Sequence, residues 1–124
     1  ALTVQRPAPE RSLVFLFVTL EESGLLGSKY YAAHPAIPLE QTVAVINLDA
    51  LSVIGPTKEL VVIGLGNSTL DDIARGLAER QQRMLVEESE PQNGSFFRSD
   101  HFNFAKAGVP ALYAKGGVDH REKG

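Results

Sequence analysis

The sequence predicts an α/β domain, a three-layer sandwich in which helices flank a mostly parallel, mixed central sheet. Apolar segments of strand length alternate along the chain with segments of helical periodicity, which is typical of layered α/β folds. Several apolar segments are continuous rather than alternating, as expected for strands covered on both faces. With 124 residues, the chain is long enough for one domain with a single core.

The first predicted strand spans 12–20, which is rich in β-branched and aromatic residues and shows almost no polar alternation. A short helix is predicted over 24–34, where apolar residues recur at spacings of three and four. Pro35 prevents its continuation. Residues 1–11 and 118–124 are expected to be loosely structured, because they combine prolines or charges with few apolar residues.

Two further apolar runs predict strands at 42–48 and 59–65, separated by the turn signal at 55–58. The helix after them begins near Thr69, which resembles the first residue of a capping box and precedes two acidic residues. Its predicted apolar face consists of Leu70, Ile73, Leu77 and Met84.

The last third of the chain predicts three short elements in the order strand, helix, strand. Residues 84–86 begin a strand, 101–106 form a helix, and 109–114 form the final strand. Gly108 and Pro110 separate that helix from that strand.

Composition excludes several classes of function. The chain contains no cysteine, which excludes disulfide scaffolds, cysteine-ligated metal sites and thiol nucleophiles. Its formal net charge of -3 argues against a nucleic-acid partner. No apolar run reaches the ~20 residues that span a bilayer. The first residues lack the layout of a signal peptide and begin without methionine, so we expect a mature form or an excised piece of unassigned compartment.

Acidic residues and a histidine occupy positions where ligands gather in such folds. Glu21 and Glu22 follow the first predicted strand, Asp49 follows the second, and His101 precedes the segment that leads into the last. The carboxyl ends of parallel strands meet at one rim of a sheet. Carboxylates with a neutral imidazole form a ligand set that zinc accepts. A neighbouring carboxylate can then act as a general base.

Each of these residues also has a purely structural interpretation. An acidic pair after a strand is most often part of a solvated loop, and an aspartate such as Asp49 often caps a turn or helix. His101 can equally be a helix N-terminal residue or a buried, satisfied histidine. The residue pattern alone leaves these alternatives open.

Four segments in order resemble signatures of the two-zinc aminopeptidase family, the bacterial leucyl-type zinc exopeptidases. Glutaminyl cyclases and transferrin-receptor-like domains are relatives of that family. The segments are 17–31 (FVTLEESGLLGSKYY), 46–49 (INLD), 98–104 (RSDHFNF) and 107–111 (AGVPA). The resemblance covers the chain from Arg11 to about Gly117.

The resemblance implies a role for each candidate residue. Glu21 matches the general base, Glu22 and His101 match ligands of one zinc ion, and Asp49 matches a ligand of the other. The implied reaction is hydrolysis of an N-terminal peptide bond in a peptide substrate, with two zinc ions as cofactors.

Two ligands of the family have no counterpart here. The family supplies a further histidine and a metal-bridging aspartate upstream of the Glu-Glu pair, whereas residues 1–20 contain neither histidine nor aspartate. We therefore expect residues 1–124 to be the carboxyl-terminal part of a zinc-exopeptidase-like catalytic domain, truncated and inactive by itself. Surfaces left by the absent segment are expected to favour self-association.

The sequence is also compatible with two other functions. A non-catalytic binding or scaffold domain can retain the same fold, as the transferrin-receptor-like relatives did. A relative with other acyl chemistry, such as cyclase or amidase activity, is the third hypothesis. The sequence does not define the substrate, and the donor set suits cobalt and manganese as well as zinc.

Overall fold

The computed structural model of the chain describes residues 7–49 and 55–120. Its strands are β1 (Val45–Asn47), β2 (Glu59–Ile63), β3 (Met84–Glu87) and β4 (Ala111–Gly116). Its α-helices are α1 (Leu26–Ala33), α2 (Leu70–Arg80) and α3 (His101–Lys106), with short 3-10 turns at Leu39–Gln41, Pro91–Asn93 and Ser95–Phe97. None of the helices in these ranges is long and apolar enough to cross a membrane.

Within the described residues, four strands form one mixed sheet in the order β1-β4-β2-β3. β1 runs parallel to β4, with Val45 opposite Ala111, and β2 runs parallel to β3. β4 runs antiparallel to β2, with Val62 opposite Ala114. The last strand in the sequence therefore lies inside the sheet, and the predicted mixed α/β sheet is confirmed.

Helices lie on both faces of this sheet. Successive side chains of a strand point to opposite faces. Leu112 and Ala114 of β4 pack against the cluster that includes α2, whereas Tyr113 contacts the ring of His101 in α3. Because α1 packs on α3, the layers are α2, the sheet, and α3 with α1, which is the predicted three-layer arrangement.

The helix α2 buries a different face from the one the sequence predicted. The core cluster consists of Val62, Ala74, Ala78 and Leu85, while Ile73 and Leu77 are 60% and 49% exposed. Alanines and larger apolar residues both follow helical spacing here, and the small alanines are the ones packed against the sheet. Met84, placed on the same predicted face, belongs instead to β3.

The predicted cap of α2 is also wrong. Thr69 already has helical backbone angles, so its side chain makes no capping hydrogen bond. The hydroxyl of Ser68 accepts from the Leu70 amide at 3.3 Å instead. Asp71 accepts from the Gly66 amide at 2.6 Å, which ties the preceding turn to the helix.

The strand predicted at 12–20 is not formed. No part of this segment is assigned to a strand, and its aromatic side chains Phe15 and Phe17 are 67% and 93% exposed. A strand requires a neighbour for its backbone amides and carbonyls. Within the described residues the segment has backbone partners only near its end, where the Thr19 carbonyl accepts from Gly27 and the Leu20 carbonyl accepts from Ser23 and Leu26. The other predicted strands and helices are present, with bounds that differ from the predicted ones by at most a few residues.

Candidate active site

Glu21 and Glu22 lie in a tight turn that joins the 12–20 segment to α1. The amides of Gly24 and Leu25 donate to the Glu21 carbonyl at 3.1 and 2.9 Å. Leu20 and Leu25 both have positive φ, at 57° and 59°, a conformation that costs L-residues roughly 1–2 kcal/mol each. The turn places both glutamates just before the first turn of α1, between two residues with strained backbone conformations.

Asp49, two residues beyond β1, is held by side chains from two other segments. Its Oδ2 accepts from the Ser99 hydroxyl at 2.7 Å and from the Tyr113 hydroxyl at 3.3 Å. Ser99 in turn accepts from Asn47 Nδ2 at 2.6 Å and is 2% exposed. These contacts orient the Asp49 carboxylate through one of its two oxygens.

His101 is the first residue of α3 and is almost completely buried, at 1% exposure. Its ring contacts Phe96 edge-on, with centroids 4.8 Å apart, and Tyr113 at 5.0 Å. Neither ring nitrogen has a hydrogen-bond partner within the described residues. Burial lowers the pKa of His101 to about 4, although the Asp49 carboxylate opposes this shift. At neutral pH the ring is therefore neutral, which is the state that binds metals.

Glu21 lies within electrostatic reach of the other acidic residues. Its partial burial raises its pKa, and the charges of Glu22, Asp49 and Asp100 raise it further. A carboxylate with a raised pKa accepts a proton more readily near neutral pH. Tyr113 both donates to Asp49 and contacts the ring of His101, so Asp49 and His101 lie in one region, and the Asp49 charge acts on Glu21 as well.

The described residues do not form a complete metal site. Across 7–49 and 55–120, no three histidine, aspartate or glutamate side chains lie close enough to hold one ion. The donor types suit zinc, and the two buried ring nitrogens of His101 without partners are consistent with a ligand. The number of convergent donors falls short of the three protein ligands usual at catalytic zinc.

A buried polar network that the sequence did not predict joins α1 to α3. The Ser28 hydroxyl lies 2.5 Å from Asp100 Oδ1 and accepts from Asn103 Nδ2 at 2.8 Å. Asn103 also donates to the Leu25 carbonyl at 3.3 Å, and Ser28 is fully buried. The network connects the end of the glutamate turn to the helix that begins with His101. The sequence signal that could have indicated this network is a polar residue, Asn103, between two apolar ones, Phe102 and Phe104.

A cleft of about 470 Å³ lies beside the two glutamates. Its volume falls in the range usual for small-ligand sites. It is lined by Glu21, Glu22, Gly24, Leu25, Lys29, Phe97, Arg98, Phe102, Asn103 and Lys106.

Comparisons with known proteins agree on one family and one fold. The model of peptidase family M28 matches residues 1–122. No curated protein matches significantly. Among solved structures, an aminopeptidase from Aneurinibacillus sp. strain AM-1 matches 83% of this chain at 24% identity and a TM-score of 0.59.

Two further solved structures match to a similar degree. LapA from Legionella matches 85% of this chain at 19% identity with a TM-score of 0.59. BSAP, a zinc aminopeptidase from Bacillus subtilis, matches 85% at 24% identity with a TM-score of 0.56. The chain covers 24%, 30% and 26% of the length of these three structures, respectively. At these identities the likeness establishes the fold.

Proposed function

Because this chain belongs to peptidase family M28, we propose that it supplies part of the active site of a zinc-dependent aminopeptidase. The observation that carries the proposal is that Asp49 and the buried, unpartnered His101 both contact Tyr113 of β4, with Glu21 within electrostatic reach of Asp49. The solved structures similar to this chain include a zinc aminopeptidase. Peptides with a free amino terminus are the proposed substrates.

In this proposal the residues divide into a base and metal ligands. Glu22 and His101 would hold one zinc ion, and Asp49 would hold a second. When bound, zinc polarises the scissile carbonyl and makes a hydroxide nucleophile accessible near neutral pH. The neutral state of buried His101 leaves a ring nitrogen lone pair available for such a ligand role.

Glu21 would move the proton during hydrolysis. Its carboxylate accepts a proton from the attacking water and delivers it to the departing amine nitrogen, and its raised pKa favours the first transfer. Ser99 and Tyr113 would keep the Asp49 carboxylate in one orientation through their hydrogen bonds to Oδ2.

We further propose that residues outside this chain complete the ligand set. The described residues bring fewer than three donors together, whereas a catalytic zinc site normally uses three. The chain alone is then expected to hydrolyse peptides poorly or not at all.

Calorimetric titration of zinc into the chain tests the ligand assignment. We expect measurable binding in the wild type and a clear loss of affinity in both Glu22→Ala and His101→Ala. Ser23→Ala, an exposed residue in the same turn, serves as the matched control and should not change the affinity. Binding that neither glutamate nor histidine substitution affects would contradict the assignment.

Hydrolysis is tested in a longer protein that contains this chain together with the missing ligands. Glu21→Gln should lower kcat at least ~10²-fold, as expected for loss of a general base, while zinc content measured by atomic absorption stays unchanged. If the wild-type protein loads zinc and cleaves no aminoacyl substrate, the assignment as a peptidase is wrong.

A non-catalytic domain of the same fold is the alternative function. The observation that favours it is the lack of three convergent ligands among the described residues. Zinc-independent stability of the longer protein, together with absent hydrolysis, would support this alternative.

A further inference from the structure

The cleft beside Glu21 and Glu22 carries charges of both signs. Its lining includes those two carboxylates and three cations, Lys29, Arg98 and Lys106. The cations come from different parts of the chain, since Lys29 lies in α1, Arg98 precedes α3, and Lys106 is the last residue of α3. Folding, rather than local sequence, thus brings the three positive charges to one cleft.

None of the three cations is neutralised by a carboxylate in the described part of the chain. The one ion pair found across 7–49 and 55–120 joins Lys58 to Asp119. Although Lys29, Arg98 and Lys106 share a cleft with Glu21 and Glu22, they do not pair with them. Lys106 instead lies over the ring of Phe102, with Nζ 4.8 Å from the centroid, a contact that restrains its ammonium group.

Such a grouping favours an anionic ligand. Cations that line one cleft without a carboxylate partner leave their charges available to an anionic group of a ligand. A guanidinium binds a carboxylate through two parallel hydrogen bonds, and ammonium groups add point charges. Phe97, which is 60% exposed, and Phe102 add apolar surface for the body of a ligand.

We propose that Lys29, Arg98 and Lys106 bind a carboxylate of the substrate, so that the cleft selects peptides carrying a negative group beyond their amino terminus. This inference rests on the proposed peptidase function and specifies its substrate class. The carboxylate is either an acidic side chain or the free carboxyl terminus of a short peptide.

Binding of three probe peptides to the metal-free chain tests the proposal without relying on activity. The probes are Ala-Ala-Ala, Ala-Ala-Ala amide and Ala-Glu-Ala amide, titrated at low ionic strength and followed by backbone NMR shifts. We expect the neutral amide to bind most weakly. Tighter binding of Ala-Ala-Ala identifies the terminal carboxylate, and tighter binding of Ala-Glu-Ala amide identifies the acidic side chain.

Single substitutions then identify the binding residues. Lys29→Ala, Arg98→Ala and Lys106→Ala should each weaken binding of the preferred carboxylate probe about two- to fivefold, as expected for exposed ion pairs. They should leave binding of Ala-Ala-Ala amide unchanged. All three side chains are exposed, so the fold should be preserved. Arg80→Ala, an exposed arginine outside the cleft, is the control and should change nothing.

Charge reversal provides a second variant. Arg98→Glu should weaken binding of the carboxylate probe more than Arg98→Ala does, and it should strengthen binding of Ala-Lys-Ala amide. Equal affinity for all three original probes, or equal losses in Arg80→Ala and Arg98→Ala, would overturn the proposal. Carboxylate selectivity without hydrolysis by the zinc-loaded longer protein would overturn the peptidase function instead.

Discussion

Two apolar segments of similar composition end in different structures. The apolar sequences of segment 12–20 and of β2 both predict buried strands. Phe17 in the first segment is nevertheless 93% exposed, whereas Val62 in β2 is 1% exposed. β2 has β4 on one side and β3 on the other, whereas within the described residues 12–18 has no strand beside it. Apolar character therefore predicts the capacity to form a strand, and a neighbouring strand is needed to realise it.

The largest expected effect is a loss of stability that differs between these two segments. Val62→Asp places a carboxylate in the core cluster around Ala74 and Leu85, and should lower the free energy of unfolding by at least about 3 kcal/mol. Phe17→Asp should change it by less than about 0.5 kcal/mol, because that side chain is already in solvent. Urea denaturation followed by circular dichroism measures both values. Comparable losses would show that 12–20 is buried in solution.

The second-largest effect is expected in the pH dependence of stability, which depends on the buried His101. The folded pKa of about 4 lies below the ordinary 6.5, so the unfolded chain binds more protons between these values. Stability should be greatest above pH 6.5 and should fall by roughly 3 kcal/mol as the pH drops to 4. Urea unfolding in EDTA at several pH values measures this, and His101→Phe should show a shallower decline. Parallel pH profiles for both proteins would contradict the prediction.

A smaller effect is expected at the polar contact between α1 and α3. Ser28→Ala removes the donor to the Asp100 carboxylate at 2.5 Å and one of the two acceptors of the Asn103 amide, the one at 2.8 Å. The loss of stability should be about 1–3 kcal/mol. Ser23→Ala, which removes the same hydroxyl from an exposed position, should cost less than about 0.5 kcal/mol. Equal melting temperatures for the two variants would argue against this buried network.

The smallest effect is expected at the edge strand β1. Among the described residues, this strand has fewer neighbouring strands than β2 and more than the 12–20 segment. Ile46 lies in β1, which has β4 as its one neighbour among the described strands, and is 66% exposed. Ile46→Thr keeps β-branching and should change stability by less than about 1 kcal/mol. A loss as large as that of Val62→Ala, measured in parallel, would mean that another surface covers β1 in solution.

Most elements of the fold could be predicted because local patterns determine them. The helix at 101–106 and the strand at 59–63 follow from periodicity and flanking glycine or proline. The face of α2 could not be predicted, because Ala74 and Ile73 both satisfy helical spacing and only packing distinguishes them. The strand predicted at 12–20 was wrong for a different reason, because strand formation there depends on a neighbouring strand.

The position of one candidate site residue, Asp49, was predictable because it follows from topology. Asp49 lies at the carboxyl end of β1, and the rule for open α/β sheets places ligands there. The residues that hold the site were not predictable, because their partners are far apart in the sequence. Ser28 and Asp100 are 72 positions apart, and Asn47 and Ser99 are 52 apart. No local pattern marks a serine whose partner is that distant.

The position of β4 inside the sheet also bears on how the chain folds during synthesis. β1 and β2 both pair with β4, Val45 with Ala111 and Val61 with Lys115. Both strands therefore leave the ribosome well before the strand that joins them. Contacts that span so much of the chain form slowly, and unpaired strands are prone to aggregate while they wait. A nascent chain stalled before residue 111 should thus depend on chaperones, and release of β4 should allow β1 and β2 to pair with it.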